Sequence, residues 1–169
     1  MGRKRLPGAK KSPYITAEGY AALQADLAQQ WHKRKHVTAA LSAAAAEGDR
    51  SENAEYIYRK KELAGIDRRI RYLQKRMPEL HVIDTRPGNV QKIFFGAWVT
   101  LEDTAAQTLR YRIVGPDEFD LDKGWISVDS PVARALLGKT INDEVRVQTP
   151  EGEHEYSVLN VDYKEHNAQ

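Results

Sequence analysis

From Tyr20 onward the apolar positions recur at alternating steps of three and four residues: Tyr20, Leu23, Leu27, Gln30, Arg34, Val37, Leu41 and Ala44. That spacing keeps one stripe of an α-helix in register and predicts a long amphipathic helix. Thr16 stands where an N-cap is needed, and Glu18 falls in the first turn, where a negative charge meets the positive helix end. Gly48 supplies the stop, because glycine enters the left-handed conformation at little cost. A second series, Tyr56, Arg59, Leu63, Ile66, Ile70, Leu73, Met77 and Leu80, repeats the spacing until Pro78 begins to end it. Two sustained seams joined by a short turn predict an antiparallel coiled-coil hairpin. Each arm of about 30 residues would reach about 45 Å at 1.5 Å per residue. Gln30, Arg34 and Arg59 replace apolar residues toward the turn, which reads as tolerated polarity in a slender element.

After residue 88 the period changes from helical to alternating. Residues 93–101, 108–114, 125–128, 144–148 and 156–161 read as β-strands, with Pro150-Glu151-Gly152-Glu153 as a hairpin turn between the last two. One short helix interrupts them: Ser130 caps it, Pro131 takes its first position, and Gly138 ends it after Val132 to Leu137. The predicted class is α+β, a coiled-coil helical hairpin followed by a small sheet domain. Turn residues cluster at Asp84-Thr85-Arg86-Pro87-Gly88. The expected organisation is therefore a basic tail over 1–13, a hairpin domain over 14–86 and a sheet domain over 87–169.

Charge sharpens that division. Residues 1–86 carry 18 Lys and Arg against 10 Asp and Glu, whereas residues 87–169 carry 8 against 14. Such a split suggests an N-terminal part that faces phosphate and a C-terminal part that faces something else. The chain has no cysteine, which excludes disulfides and cysteine-ligated zinc and fits a reducing cytoplasm. The basic start has no apolar run behind it, so it is not read as a signal peptide. Ala39 to Ala46 is too short to span a bilayer.

Candidate chemistry concentrates at the tip of the hairpin, in Gly48-Asp49-Arg50-Ser51-Glu52-Asn53-Ala54-Glu55-Tyr56. Glu47, Asp49, Glu52 and Glu55 crowd one turn. One or two carboxylates with waters and substrate phosphates suffice to hold Mg²⁺, so Asp49 and Glu52 are candidate ligands. Asp49-x-x-Glu52 also matches a capping box, which would tie both acids to the start of the second helix. On that helix Lys61, Arg68 and Lys75 point away from the seam, flanked by Lys60, Arg69, Arg71 and Arg76 with Tyr58 and Tyr72. Such a face is either merely solvated or a basic track with stacking platforms for single-stranded nucleic acid. His32 and His36 have ligand spacing, but they sit among Lys33, Arg34 and Lys35, and no Glu follows His32 as a zincin requires. No Walker loop, dinucleotide fingerprint or serine-nucleophile elbow is present. In the sheet domain, Asp129 should point outward and is a candidate contact residue.

The tip run resembles the signature of the Gre transcript-cleavage factors of bacterial RNA polymerase, and the resemblance extends over about residues 13–163. It includes Thr16-Ala17-Glu18-Gly19-Tyr20, Ile66 to Leu73, Phe94 to Val99, Tyr111 to Gly115 and Ile126 to Leu137. Arg50, the Phe94-Phe95-Gly96-Ala97-Trp98 stretch and the extended basic helix are closer to the GreB branch than to the GreA branch. The resemblance implies a hairpin that enters the polymerase secondary channel and an FKBP-like C-terminal domain that grips the channel rim. Asp49 and Glu52 match the family's catalytic pair and would share a Mg²⁺ with polymerase. Arg59, Lys60, Lys61, Arg68, Arg69, Arg71 and Lys75 would hold the nascent RNA 3′ end. Asp129, Ser130 and Pro131 match the part implicated in polymerase docking. The chain is expected to be a cytoplasmic monomer, because the hairpin closes its own seam. Some relatives that bind the channel inhibit transcription instead, which leaves a channel inhibitor as the alternative.

Overall fold

Two helices carry the N-terminal pattern into structure. In the computed structural model, which describes residues 8–48, 53–84 and 86–163, helix α1 spans Ala17–Ala46 and helix α2 spans Ala54–Arg76. Thr16 caps α1 as expected, its Oγ1 accepting the Gly19 N–H at 3.1 Å. A 3₁₀ turn over Met77–Glu79, with Pro78 inside it, closes the second arm. That arm has 23 helical residues and not 30, because its cap is Asn53 and proline breaks the ladder at its other end. Every position of both predicted seams is buried or half-buried. Val37, Ile66 and Ile70 form the centre of the inter-arm core, with Leu27 and Leu63 packed against it. The polar interruptions are not passive. Arg34 pairs with Asp67 at 2.8 Å and Arg69 with Asp26 at 2.8 Å, each bridging one arm to the other. Of the polar steps in the stripe, Arg34 bridges the arms directly, whereas Gln30 donates to Asp26 and Arg59 to Glu55 and Glu62 of its own helix.

The chain forms two compact units, Tyr20–Leu80 and a unit built from Met1–Gly19 with His81–Gln169. The second unit holds a five-stranded sheet of β3 (Trp98–Asp103), β4 (Thr108–Val114), β5 (Trp125–Ser127), β6 (Glu144–Thr149) and β7 (Gly152–Asp162), in the order β5-β4-β3-β7-β6. All pairs are antiparallel except β4 with β5. The short helix α3 (Pro131–Leu136) lays Ala133 and Leu136 on a core of Ile93, Val99, Leu101, Ile113, Val145 and Val158. Its cap is Ser130, whose hydroxyl accepts the Ala133 N–H.

Three features differ from the pattern-based expectation. The first predicted strand starts at Trp98 and not at residue 93, because Gly96 turns the chain with φ +87°. Residue 159 is extra on β7, where the register slips between Thr100 and Leu101. The bulge puts two successive residues, Leu159 and Asn160, on the exposed face and so returns Val161 to the buried one. Finally, a two-residue parallel pair, β1 (Tyr14–Ile15) with β2 (His81–Val82), was not visible in the alternation. It fastens the segment before α1: the His81 N–H donates to the Pro13 carbonyl at 2.7 Å and the Ile83 N–H to the Ile15 carbonyl at 2.8 Å.

Candidate functional site

Asp49 and Glu52 lie outside the described residues, and the structure reaches them from both sides. On the α1 side Gly48 has φ +139°, a conformation side chains avoid. On the α2 side Asn53 is the N-cap, its Oδ1 accepting the Tyr56 N–H at 3.1 Å. The cap that a capping box would assign to Asp49 is thus held by Asn53. The asparagine Nδ2 also donates to the Ala44 carbonyl at 2.8 Å, so one side chain touches both arms. The capping-box pattern gives Asn53 no role. The signal was there: asparagine ranks with aspartate as an N-cap, and Ala54 follows it directly.

The other acids of the tip are differently placed. Glu47 is exposed. Glu55 accepts a hydrogen bond from Arg59 at 2.8 Å. Among the described residues no three His, Cys, Asp or Glu side chains are grouped to hold a metal ion. The hard oxygen donors of Asp49 and Glu52 suit Mg²⁺, but two carboxylates need further ligands from elsewhere to complete its shell.

The basic track divides into two groups. Arg59 lies between Glu55 and Glu62, at 2.8 and 2.9 Å, and these hydrogen bonds raise its pKa above the ordinary guanidinium value. Arg69 is bound to Asp26. Both are half-buried and already neutralised within the hairpin. Lys60, Lys61, Arg68, Arg71 and Lys75 are exposed and form no ion pair with a described residue. Successive residues turn by 100°, so those five share the side of α2 opposite Ile66, Ile70 and Leu73. Tyr72 lies along the same strip, with the Arg69 guanidinium 5.6 Å from its ring centre. His32 and His36 hydrogen-bond each other, their Nε2 atoms 3.2 Å apart.

In the sheet unit Asp129 does not simply point outward. Its carboxylate accepts the Ser12 N–H at 2.9 Å and the Ser12 hydroxyl. Glu118 repeats the arrangement four residues along the same segment, accepting the Thr16 N–H at 2.7 Å and the Thr16 hydroxyl. Pro131 is exposed and Ser130 half-buried beside it. The three predicted docking residues are therefore contiguous, and one of them anchors the segment leading to β1. No described helix is long and apolar enough to cross a membrane.

Residues 13–82 match the family model described as transcription elongation factor, N-terminal, and residues 88–163 match that of transcription elongation factor, GreA/GreB, C-term. Transcription elongation factor GreB of Xanthomonas axonopodis pv. citri is 56% identical over 165 residues, covering 96% of this chain and 98% of that protein. Transcription elongation factor GreB of Pseudomonas aeruginosa is 54% identical over 164 residues, with the same two coverages of 96% and 98%. Among solved structures, GreA factor homolog 1 (Gfh1) of Thermus thermophilus is 27% identical, with a TM-score of 0.41 over 90% of this chain and 99% of that one.

Proposed function

This chain belongs to the GreA/GreB family of transcription elongation factors, of the GreB type, and from that premise we propose that it stimulates cleavage of backtracked RNA by RNA polymerase. In this reading the hairpin enters the polymerase secondary channel, and Asp49 and Glu52 complete the active centre there. The observation that carries it is the identity of the cap. Asn53 holds the first turn of α2, so the tip carboxylates are not required for that task and their lone pairs can serve as ligands. A Mg²⁺ shared with polymerase would supply charge neutralisation and an acidified water for attack on a phosphodiester. The chain's own contribution is to deliver two carboxylates at the end of a rod and to steady the RNA.

Lys60, Lys61, Arg68, Arg71 and Lys75 are the residues assigned to the RNA 3′ segment. Arg59 and Arg69, already paired, support the rod itself. Asp129, Ser130 and Pro131 are assigned to the polymerase rim. The chain has no turnover alone in this reading and acts in the cytoplasm as a monomer.

The test is RNA cleavage in purified backtracked elongation complexes with Mg²⁺, comparing wild type with Asp49→Asn and Glu52→Gln. Release of 3′ fragments by wild type, lost in both variants while polymerase binding persists, is the expected result. Wild-type protein that slows initiation or elongation without releasing RNA would move the chain to the channel-inhibitor class.

A further inference from the structure

On α1, His32 and His36 are one helical turn apart, so both rings project from the same side of the helix. The structure closes them on each other. Their Nε2 atoms are 3.2 Å apart, and the rings meet edge to face at 73° with centres 4.7 Å apart. Two imidazole nitrogens bound about 2.0–2.1 Å from one tetrahedral ion lie about 3.3–3.4 Å from each other. The separation within the pair is therefore close to the bite of a metal chelate. Both rings are exposed, so a small rotation about χ2 turns the two lone pairs to a common point in solvent.

The neighbouring charge, which counts against a cation in the sequence, is rearranged by the fold. Arg34 turns to the other arm and pairs with Asp67 at 2.8 Å. The charge of Lys33 is partly offset by nearby Asp26. Arg59, which lines the same groove as His36, is held by Glu55 and Glu62. Lys35 is exposed, where water and salt screen it. Imidazole nitrogens suit Zn²⁺, Ni²⁺ and Cu²⁺, whereas Mg²⁺ takes oxygen ligands. We propose that His32 and His36 form a two-imidazole binding site for a divalent transition-metal ion of the zinc, nickel and copper class. Waters fill the remaining positions, so the site is open and weaker than a four-ligand structural zinc site. A bound ion ties one turn of α1 to the next and stabilises the folded hairpin by mass action. The site uses nitrogen donors and does not depend on the Mg²⁺ assigned to Asp49 and Glu52.

Zinc alone is the probe, added to the full chain at neutral pH and followed by isothermal titration calorimetry. One Zn²⁺ per chain is expected, with affinity falling at least tenfold in both His32→Gln and His36→Gln. Excess Mg²⁺ should not displace it. Thermal unfolding, followed by circular dichroism, should move upward with Zn²⁺ in the wild type and stay in place in both variants. Cu²⁺ should bind more tightly than Zn²⁺, and its electron paramagnetic resonance spectrum should carry the splitting of two nitrogens. Both histidines are exposed, so the variants should fold as the wild type does, and equal melting temperatures without metal check this. Zinc binding at wild-type affinity in either variant puts the ion elsewhere, for instance on the tip acids, and overturns the proposal. A wild-type chain that takes up no Zn²⁺ overturns it as well.

Discussion

Thr16 and Glu118 show how much a single residue pair can decide in this chain. Thr16 is 1% exposed, caps α1 through its Oγ1 and gives both its N–H and its O–H to the Glu118 carboxylate. The Gly115 N–H donates to the same carboxylate at 2.9 Å. Glu118→Ala leaves these donors without their acceptor, each costing about 1–3 kcal/mol, and should lower the stability of the sheet unit in thermal or urea unfolding. Gly115→Ala should be at least as damaging, because a Cβ there would lie 2.0 Å from the Tyr14 carbonyl oxygen, a backbone atom that cannot step aside. Asp129 acts on the same segment through Ser12. If the docking proposed for Asp129 runs through that anchorage, Ser12→Ala, which removes the hydroxyl bond and keeps the residue 12 N–H bond, should weaken binding less than Asp129→Asn, and the double variant should be no worse than Asp129→Asn. Binding unaffected by Ser12→Ala would show that the hydroxyl bond is not needed, leaving the carboxylate and its bond from the residue 12 N–H.

At the scale of the element, the hairpin combines a thin apolar seam with cross-arm ion pairs. Ile70 is 3% exposed in that seam, and Ile70→Ala should cost about 2–5 kcal/mol, read as a lower melting temperature by circular dichroism at 222 nm. The Asp26–Arg69 pair adds a pH dependence. Burial alone would raise the Asp26 pKa, but hydrogen bonds from Gln30 and Arg69 and the nearby charges of Arg69 and Lys33 outweigh it and hold the pKa below the ordinary aspartate value. The group is therefore more acidic folded than unfolded. Its stabilising share is complete above about pH 4 and is lost as pH falls through the lowered value. The acid-side decline in hairpin stability should shrink in Asp26→Asn relative to wild type, each measured against its own value at pH 7. Seam and sheet strands were legible because burial imposes a period on the sequence. The Asp26–Arg69 and Arg34–Asp67 bridges were not, because the residues that meet lie 43 and 33 positions apart.

Over the whole molecule, charge separates by role. The basic half holds the hairpin; Lys60, Lys61, Arg68, Arg71 and Lys75, exposed, share one side of α2, while the half-buried Arg34, Arg59 and Arg69 are paired within the hairpin. Salt dependence distinguishes the two groups. For binding of single-stranded RNA to the free chain, followed by fluorescence anisotropy, each of Lys61→Gln, Arg68→Gln and Lys75→Gln should reduce the slope of log affinity against log salt by about 0.7. Arg59→Gln and Arg69→Gln should leave the slope unchanged and lower the melting temperature instead. Equal slopes in all five variants would remove the track from the functional reading. The sequence by itself determined the two-helix seam, the alternating strands, the caps Thr16 and Ser130 and the acid-rich tip, because each is a local pattern that burial or a free backbone N–H imposes on neighbouring residues. Only the tertiary structure decided which tip residue caps α2, which cations have no ion pair among the described residues, and that Asp129 and Glu118 hold the segment before α1. Those outcomes depend on which distant groups come within hydrogen-bonding reach, and no local period encodes that.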